Sequence, residues 1–271
     1  AESGFKTVQF LGNCDLSIDA VLAYAKVENL TIGEGTEVLG SNFASTDFGE
    51  TTPLTVSLPE SLKEIGDGAF SQREGLTEID LKNVEVIGED AFSYTGLREL
   101  LIPGTVKEVG EAFDSCRQLQ TIRVSEGVEA IGDEAFSFAG NGNGSEGEYV
   151  TYLTDEEYEK NKAYVYQEDE KAGFVNVYLP STLKRVGANV FYGAYVDGIY
   201  MEWCTSPDAL PSFDPTFVED KFAGIHQIYF TKETIDAYGD ELDAYFMNTN
   251  AKDCCWYPSG QKAYWSSQSL E

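Results

Sequence analysis

Histidine, methionine and basic residues are scarce in this chain of 271 residues. It has one histidine, two methionines, and 18 lysines and arginines against 47 aspartates and glutamates, which gives a formal net charge of −29. Nucleic acids and anionic lipid surfaces are bound by clustered Lys and Arg, so the charge excludes both as partners. Two explanations of the acidity stay open: the solubility of an extracellular surface, or the attraction of a basic partner.

Long apolar runs are missing as well. No run of 18 or more apolar residues occurs, so no transmembrane helix is predicted. No signal peptide is visible either. Ala1-Glu2-Ser3 resembles a trimmed start and Leu270-Glu271 a cloning remnant, so we expect that a secretory leader has been removed.

The residue types of catalytic and metal sites are too few or wrongly spaced. His226 is the single histidine, and no nucleophile signature accompanies it. Cys254 and Cys255 are adjacent, without a second CxxC or a histidine pair, which does not fit zinc. We therefore predict no catalytic residue, no metal site, no cofactor and no enzymatic activity.

Five cysteines, an odd number, leave at least one thiol unpaired. One disulfide between Cys204 and either Cys254 or Cys255 is an interpretation that suits an extracellular protein. Five free thiols is the alternative.

An internal repeat dominates the first half of the chain. Ile65-Gly66-Asp67-Gly68-Ala69-Phe70 returns as Ile87-Gly88-Glu89-Asp90-Ala91-Phe92 and as Ile131-Gly132-Asp133-Glu134-Ala135-Phe136. Val109-Gly110-Glu111-Ala112-Phe113 is the same phrase one residue short. The residue before the glycine recurs at 65, 87, 109 and 131, a period of 22 that is typical of leucine-rich repeats.

Each repeat combines a strand with a return segment. Apolar residues alternate with mostly polar ones in Leu97-Arg98-Glu99-Leu100-Leu101-Ile102, which predicts a half-buried strand. The glycine of the return permits a positive φ, and the acidic residue after it suits the start of a short helical turn. The return then directs a ring into the core, so we expect a stack of Phe43, Phe70, Phe92, Phe113, Phe136 and Phe191.

The phrase I-G-x-x-A-F, with an L-x-x-I-x-L strand before it, resembles the BspA-type leucine-rich repeats of bacterial cell-surface proteins. The clear copies lie at 54–139, and weaker ones lie at 28–44 and 175–193. The resemblance implies an α/β fold, a right-handed β/α solenoid with short helical turns. It also implies a secreted or cell-surface binding protein, acting in adhesion on a host or neighbouring-cell surface component.

We predict a single solenoid domain, 1–271, of about eight coils, capped at both ends. The N-terminal cap is 1–27, with a short helix from Ser17 to Tyr24. Regular repeats follow at 28–139, an insertion at 140–174, and divergent repeats at 175–230. The C-terminal cap is 231–271, beginning with an amphipathic helix from Thr231 to Met247.

The insertion is inferred from a break in the period. Consecutive strand ends, Val124 and Leu179, are 55 residues apart where 22 are expected. The extra segment is acidic and contains Tyr158, which we include among the candidate binding residues. Insertions of a solenoid emerge on one face and often bind a partner. Calcium is the alternative ligand, although the spacing fits no calcium loop.

The strands predict the candidate binding face. Each strand exposes the residue before its last core residue, at Thr31, Ser57, Asp80, Leu101, Arg123, Tyr178, Tyr200 and Tyr229. Tyrosines give rigid contact area with a polar tip, which suits protein interfaces and also sugar stacking. We therefore predict protein recognition at Asp80, Leu101, Arg123 and the three tyrosines, with carbohydrate binding on the tyrosine row as the alternative.

Overall fold

The computed structural model describes residues 5–140, 175–194, 196–201, 203–217, 227–246 and 255–258. Each coil of the repeat contributes a strand, then a two-residue strand, then a turn. Stacked coils therefore build three walls, which we call the first sheet wall, the second sheet wall and the turn wall. All strand pairs in the two sheet walls are parallel.

The first sheet wall has two parts. Its strands, in spatial order, are β1 (Phe5–Phe10), β2 (Val27–Ile32) and β4 (Thr55–Ser57) in one part, and β7 (Glu99–Ile102), β9 (Thr121–Val124), β11 (Val175–Tyr178), β13 (Val196–Tyr200), β15 (Gln227–Phe230) and β16 (Cys255–Pro258) in the other. Alternation decides the two faces: Leu100 and Ile102 are buried, while Glu99 and Leu101 are exposed. The prediction of half-buried strands is confirmed here, while the number of complete coils stays a prediction.

The second sheet wall consists of two-residue strands and is also split. One part holds β3 (Val38–Leu39), β5 (Glu64–Ile65) and β6 (Val86–Ile87), and the other holds β8 (Glu108–Val109), β10 (Ala130–Ile131), β12 (Arg185–Val186) and β14 (Ser212–Phe213). Ion pairs join the outer sides of neighbouring coils, as between Lys184 and Glu129 at 2.6 Å. Some of the few basic side chains of this acidic chain therefore form ion pairs between coils on this wall.

The return segments form hydrogen-bonded turns, which corrects the prediction of short helical turns. The N–H groups of Gly68, Phe70 and Gln72 donate to the carbonyls of Glu89, Ala91 and Ser93 in the next coil. A helix would satisfy these groups within its own coil. The fourth residue of the phrase has a positive φ instead, 61° at Gly68 and 56° at Asp90, so that alternate groups point along the solenoid axis.

The acidic residue after the repeat glycine has a role in this turn wall. Asp67 Oδ1 accepts the backbone N–H of Glu89 at 3.0 Å, and Asp133 Oδ1 accepts that of Ala188 at 2.9 Å. These carboxylates satisfy backbone donors of the next coil and thereby join coils. The positive end of a helix, which we expected to explain the acidic residues, is absent from these turns.

The predicted phenylalanine stack is confirmed and runs through the centre of the coils. Ring centroids of successive members are 5.3 to 6.3 Å apart from Phe43 to Phe191, and all six rings are fully buried. Phe92 and Phe113 are nearly parallel, at 3°. Burial of one ring per coil removes apolar surface from water along the whole array, the main favourable term in folding.

Residues Ser17 to Tyr24 form a turn of the same kind, not the predicted helix. The N–H groups of Ala20, Leu22 and Tyr24 donate to Ser41, Phe43 and Ser45, as in the regular coils. Together with β1, this segment makes residues 5–25 a further coil of the array. The predicted helix near the other end exists as α1 (Lys232–Phe246), but β16 follows it and extends the first sheet wall.

The strands on either side of the predicted insertion pair directly. Ile122 of β9 lies opposite Val177 of β11, and Ile131 of β10 opposite Val186 of β12, although 55 residues separate each pair. The insertion, including Tyr158, falls outside the described residues apart from Gly140, and His226 lies outside them too. The strand β14 was not predicted.

Both sheet walls are interrupted near one coil, which we call the seam coil, residues 76–95. Its segment Leu76–Leu81 forms no strand, which contradicts the expected one. On the second sheet wall, β6 and β8 do not pair, and the coil that contains β8 is the one with the shortened phrase. The turn wall and the phenylalanine stack continue across both interruptions.

Candidate functional site

The register of the first sheet wall aligns the predicted binding residues in one row. Leu101 lies opposite Arg123, Arg123 opposite Tyr178, Tyr178 opposite Tyr200, and Tyr200 opposite Tyr229. Side chains at paired positions of parallel strands point to the same face and lie close together. Five of the seven candidate residues therefore form one contiguous row.

The three tyrosines of this row form a close stack. The ring centroids of Tyr178 and Tyr200 are 4.5 Å apart with 12° between the planes, and those of Tyr200 and Tyr229 are 4.4 Å apart with 4°. The hydroxyl of Tyr200 donates to Asn176 Oδ1 at 3.2 Å. Such rings lose few rotamers on binding, which makes them rigid contact surfaces.

Arg123 closes one end of the stack. Its guanidinium carbon lies 3.9 Å from the centroid of the Tyr178 ring, a cation–π contact. The residue is exposed, so its N–H groups reach solvent at the margin of the row. Arginine and tyrosine, which lie side by side here, are residue types enriched at binding hot spots. The leucine beyond them is available as an apolar anchor.

The stack also limits what its rings can do. Both faces of the Tyr200 ring are covered by neighbouring tyrosines, and Tyr229 is only 7% exposed. We expected Tyr229 to be exposed; its burial follows from this stacking. Ring edges and hydroxyls are what the row offers, while a sugar that stacks on an aromatic residue requires an open face.

A glycine holds the rings in place. A Cβ at Gly198 would lie 2.6 Å from Cε2 of Tyr229 and 3.2 Å from Cε2 of Tyr200. Gly198 is two residues before Tyr200 on the same strand and on the same face, so the rings lie against its bare backbone. The role of Gly198 was not predicted, because a glycine inside a strand is recognised from sequence only as a residue that weakens the strand.

A groove opens at the other end of the row, beside the seam coil. Two shallow cavities of about 280 and 220 Å³ share Ile79 and Leu101 in their linings. Leu101 is 57% exposed, and Ile79 is half-buried. The candidate Asp80 lies on this groove, not in register with the row, because its segment forms no strand.

One further residue belongs to the site without having been predicted, since Ile79 lines both cavities. The backbone register of the sheet continues by one more strand, where Tyr257 of β16 pairs with Tyr229. The aromatic alternation of Cys255-Trp256-Tyr257 was a usable signal for this strand. Tyr158 remains a prediction, since it falls outside the described residues.

Two of the described cysteines, Cys116 and Cys204, are buried, and burial disfavours the ionisation of their thiols. Burial raises the pKa of the Cys116 thiol to about 12, and burial also raises that of Cys204. Cys204 is a free thiol that donates to the carbonyl of Ser206 at 3.2 Å, so the predicted disulfide of Cys204 is wrong in this structure. Across the described ranges, no group of three or more Cys, His, Asp or Glu side chains has the geometry of a metal site.

In the part of the chain that the structure describes, no helix has the length and apolar character needed to cross a bilayer. A search of curated proteins finds no match.

Several solved structures share limited similarity. A leucine-rich repeat protein from Bacteroides ovatus ATCC 8483 is 17% identical, with 76% of this chain and 55% of that chain covered and a TM-score of 0.33. A leucine rich cell surface protein from Faecalibacterium prausnitzii A2-165 is 18% identical, with coverages of 87% and 61% and a TM-score of 0.33. The pneumococcal vaccine antigen PcpA is 13% identical, with coverages of 95% and 90% and a TM-score of 0.28. The chain thus spans somewhat over half the length of the first two proteins.

The sequence of the repeats themselves matches a known family. Residues 41–143 fit the profile described as the BspA type leucine rich repeat region, in six copies. The same residues contain the I-G-x-x-A-F phrases, five of the six rings of the phenylalanine stack, from Phe43 to Phe136, and the central part of the turn wall. Residues 41–143 of this chain are therefore a BspA-type leucine-rich repeat region.

Proposed function

We propose that this protein is a non-catalytic binding module of the cell surface or the extracellular space, which recognises a protein partner through the outward face of its first sheet wall. The observation that carries the proposal is the row from Leu101 through Arg123 to the stacked tyrosines. It places an apolar side chain, a cation and rigid aromatic edges on one rigid sheet. Arginine and tyrosine are among the residues enriched in the hot spots of protein interfaces.

Several properties of the row favour a protein partner over a carbohydrate. The rings present their edges and hydroxyls, because stacking covers both faces of Tyr200. Leu101, with 57% of its surface exposed, adds an apolar contact that suits an apolar side chain of a partner. Adhesion to a host or neighbouring-cell surface component is the role we propose for such binding, and the carbohydrate alternative is tested beside it.

The experiment is a binding screen of the purified chain against immobilised extracellular-matrix and mucin proteins, each offered intact and deglycosylated. Leu101→Ser and Arg123→Ala probe the row. Val86→Ser and Arg185→Ala are their matched controls, since Val86 is 51% exposed and both control residues lie on the second sheet wall.

Saturable binding that the row variants weaken about tenfold and the controls leave unchanged supports the proposal. Binding that disappears when the target is deglycosylated favours the carbohydrate alternative. Binding that all four variants retain places the site elsewhere and overturns the proposal.

A further inference from the structure

The first coil, residues 5–25, has open backbone groups on the side that faces away from the array. The strand β1 pairs with β2 on one side, and no described strand lies on its other side. In the turn wall, no described N–H group donates to the carbonyls of Asp19, Val21 and Ala23, whereas the corresponding carbonyls of the next coil accept N–H groups of the first. A sheet edge of this kind is a place where another strand can pair.

The repeat glycine shows how closely consecutive coils approach each other. A Cβ at Gly66 would lie 2.8 Å from the carbonyl carbon of Gly40, and a Cβ at Gly187 would lie 2.8 Å from that of Gly132. In both cases the Cβ points at the same position of the preceding coil. The exception is Gly110, in the shortened phrase, where a Cβ would meet no heavy atom within 4 Å. In a regular coil, any side chain at this position collides with the backbone of the coil before it.

Ile18 occupies the position of the repeat glycine in the first coil. A Cβ at Gly40 would lie 2.5 Å from the carbonyl carbon of Ile18, which makes Ile18 the preceding member of the glycine series. Asp19 then takes the place of the acidic residue of the phrase. Its Oδ1 accepts the backbone N–H of Ser41 at 3.2 Å, as the carboxylate of Asp67 accepts an N–H group of its own next coil. The side chain of Ile18 therefore points away from the array.

Two apolar side chains thus occupy the space in which a preceding coil would lie. Ile18 is 62% exposed and Leu11 is 78% exposed. Leu11 follows β1 and corresponds in register to Gly33, where a Cβ would lie 2.5 Å from the backbone nitrogen of Gly12. The first coil has side chains at two positions where the second coil has glycine and needs it.

We infer that Ile18, together with Leu11, is a steric stop that prevents a further coil from stacking on β1 and on the turn of the first coil. The Cβ of residue 18 is the blocking atom, so glycine at this position opens the end of the array. The stop protects a sheet edge whose backbone groups would otherwise pair with another strand. It is independent of the proposed function, which concerns the row from Leu101 to Tyr229.

The test asks whether the chain accepts one more coil. A copy of residues 54–75 is fused directly before Phe5 in place of residues 1–4, which keeps the step of 23 residues found between the strand ends Leu58 and Leu81. Three versions of the fusion are compared: the parent sequence, Leu11→Gly with Ile18→Ala, and Leu11→Gly with Ile18→Gly. The alanine and glycine versions differ by one methyl group, so they separate a steric stop from an exposed apolar patch.

Hydrogen exchange of the fused coil is the measurement, with chemical denaturation of the whole chain beside it. In the glycine version the fused coil should exchange about tenfold more slowly than in the other two, and the denaturant m-value should increase because more surface is buried. Protection in the parent fusion, or equal exchange in the alanine and glycine versions, overturns the inference.

A second measurement examines the same contact without a fusion. Gly66→Ala places a Cβ against the preceding coil and should raise the unfolding equilibrium constant about tenfold or more. Ile18→Ala in the unfused chain keeps a Cβ where no described coil precedes it and should change that constant by less than about threefold. Equal stability of these two variants would also overturn the inference, because the repeat glycine would then not be required by the neighbouring coil.

Discussion

The rings of Tyr200 and Tyr229 lie parallel, with 4.4 Å between their centroids, and both lie against Gly198. The stack therefore depends on the absence of a side chain at that position. Gly198→Ala should displace both rings, since the added Cβ would lie 2.6 Å from Tyr229 and 3.2 Å from Tyr200. We expect a loss of about 1–3 kcal/mol in the free energy of unfolding, as for overpacked sites.

Near-ultraviolet circular dichroism and chemical denaturation measure the two effects of Gly198→Ala. Gly239→Ala is the matched control, because no heavy atom lies within 4 Å of the Cβ it would add. An unchanged tyrosine signal in Gly198→Ala would show that the rings do not rest on this residue.

Arg73 joins three coils from inside the core. It is 1% exposed, its Nε donates to the carbonyl of Ala44, and Nη2 donates to that of Ala25 at 2.8 Å. Burial lowers the pKa of this guanidinium, and the charge of Glu50 acts against that shift. Arg73→Met should keep most of the packing but leave buried carbonyls without donors, at a cost of roughly 2–5 kcal/mol.

Denaturation midpoints of Arg73→Met and of Arg98→Met, at an exposed position, provide the comparison. Similar stability of the two variants would contradict a structural role for the buried guanidinium.

Two glutamates should change the pH dependence of stability in opposite directions. Desolvation, with the charges of Glu134, Asp90 and other neighbours, raises the pKa of Glu111 above 4.5. Ionisation of Glu111 therefore disfavours the folded state, a penalty that is absent well below pH 4.5 and fully present above the raised pKa. Glu111→Gln should increase the melting temperature at neutral pH and have little effect in acid.

Glu126 has the reverse sign. Hydrogen bonds from the backbone and the side chain of Ser181 hold the pKa of Glu126 below 4.5, so its stabilisation is present above pH 4.5 and is lost as the pH falls through the lowered pKa. Glu126→Gln should lower the melting temperature at neutral pH and have less effect in acid. Thermal melts of both variants across this range are the measurement, and shifts of the same sign at pH 7 would refute the assignment.

The seam coil should exchange its amide hydrogens faster than its neighbours. The amides of Glu78, Ile79 and Asp80 have no backbone acceptor within the described structure, whereas strand β9 is paired on both sides. Hydrogen exchange followed by mass spectrometry should show early labelling at 78–80 and late labelling at 121–124. Equal protection of the two segments would mean that the first sheet wall is continuous in solution.

The phenylalanine stack could be predicted because a fixed period places one ring per coil at the same depth. The tyrosine row followed from the same reasoning, since the two-residue alternation of a strand decides which side chains share a face. The segment from Ser17 to Tyr24 was misread because its apolar residues have a spacing that suits a helix. Its turn depends on positive φ angles at Ala20 and Tyr24, residues that do not ordinarily signal one.

Other features depend on contacts between coils and could not be predicted from the sequence. The closed faces of the Tyr200 ring result from spacings of 4.4 and 4.5 Å that no pattern encodes. The segment Leu76–Leu81 has a regular alternation of apolar and polar residues, so this alternation did not reveal that the segment forms no strand. The short phrase at Val109 to Phe113 was visible, but its link to an interrupted wall required the register.

The turn wall gives the array an electrical polarity. From Ala20 to Phe191, N–H groups of the turns point towards the following coil, and the carbonyls that receive them point back. Each peptide unit has a dipole of about 3.5 D, and aligned units add as they do along an α-helix. The column is therefore negative where the chain begins and positive towards the later coils, and a change in the number of coils changes the length over which these dipoles add.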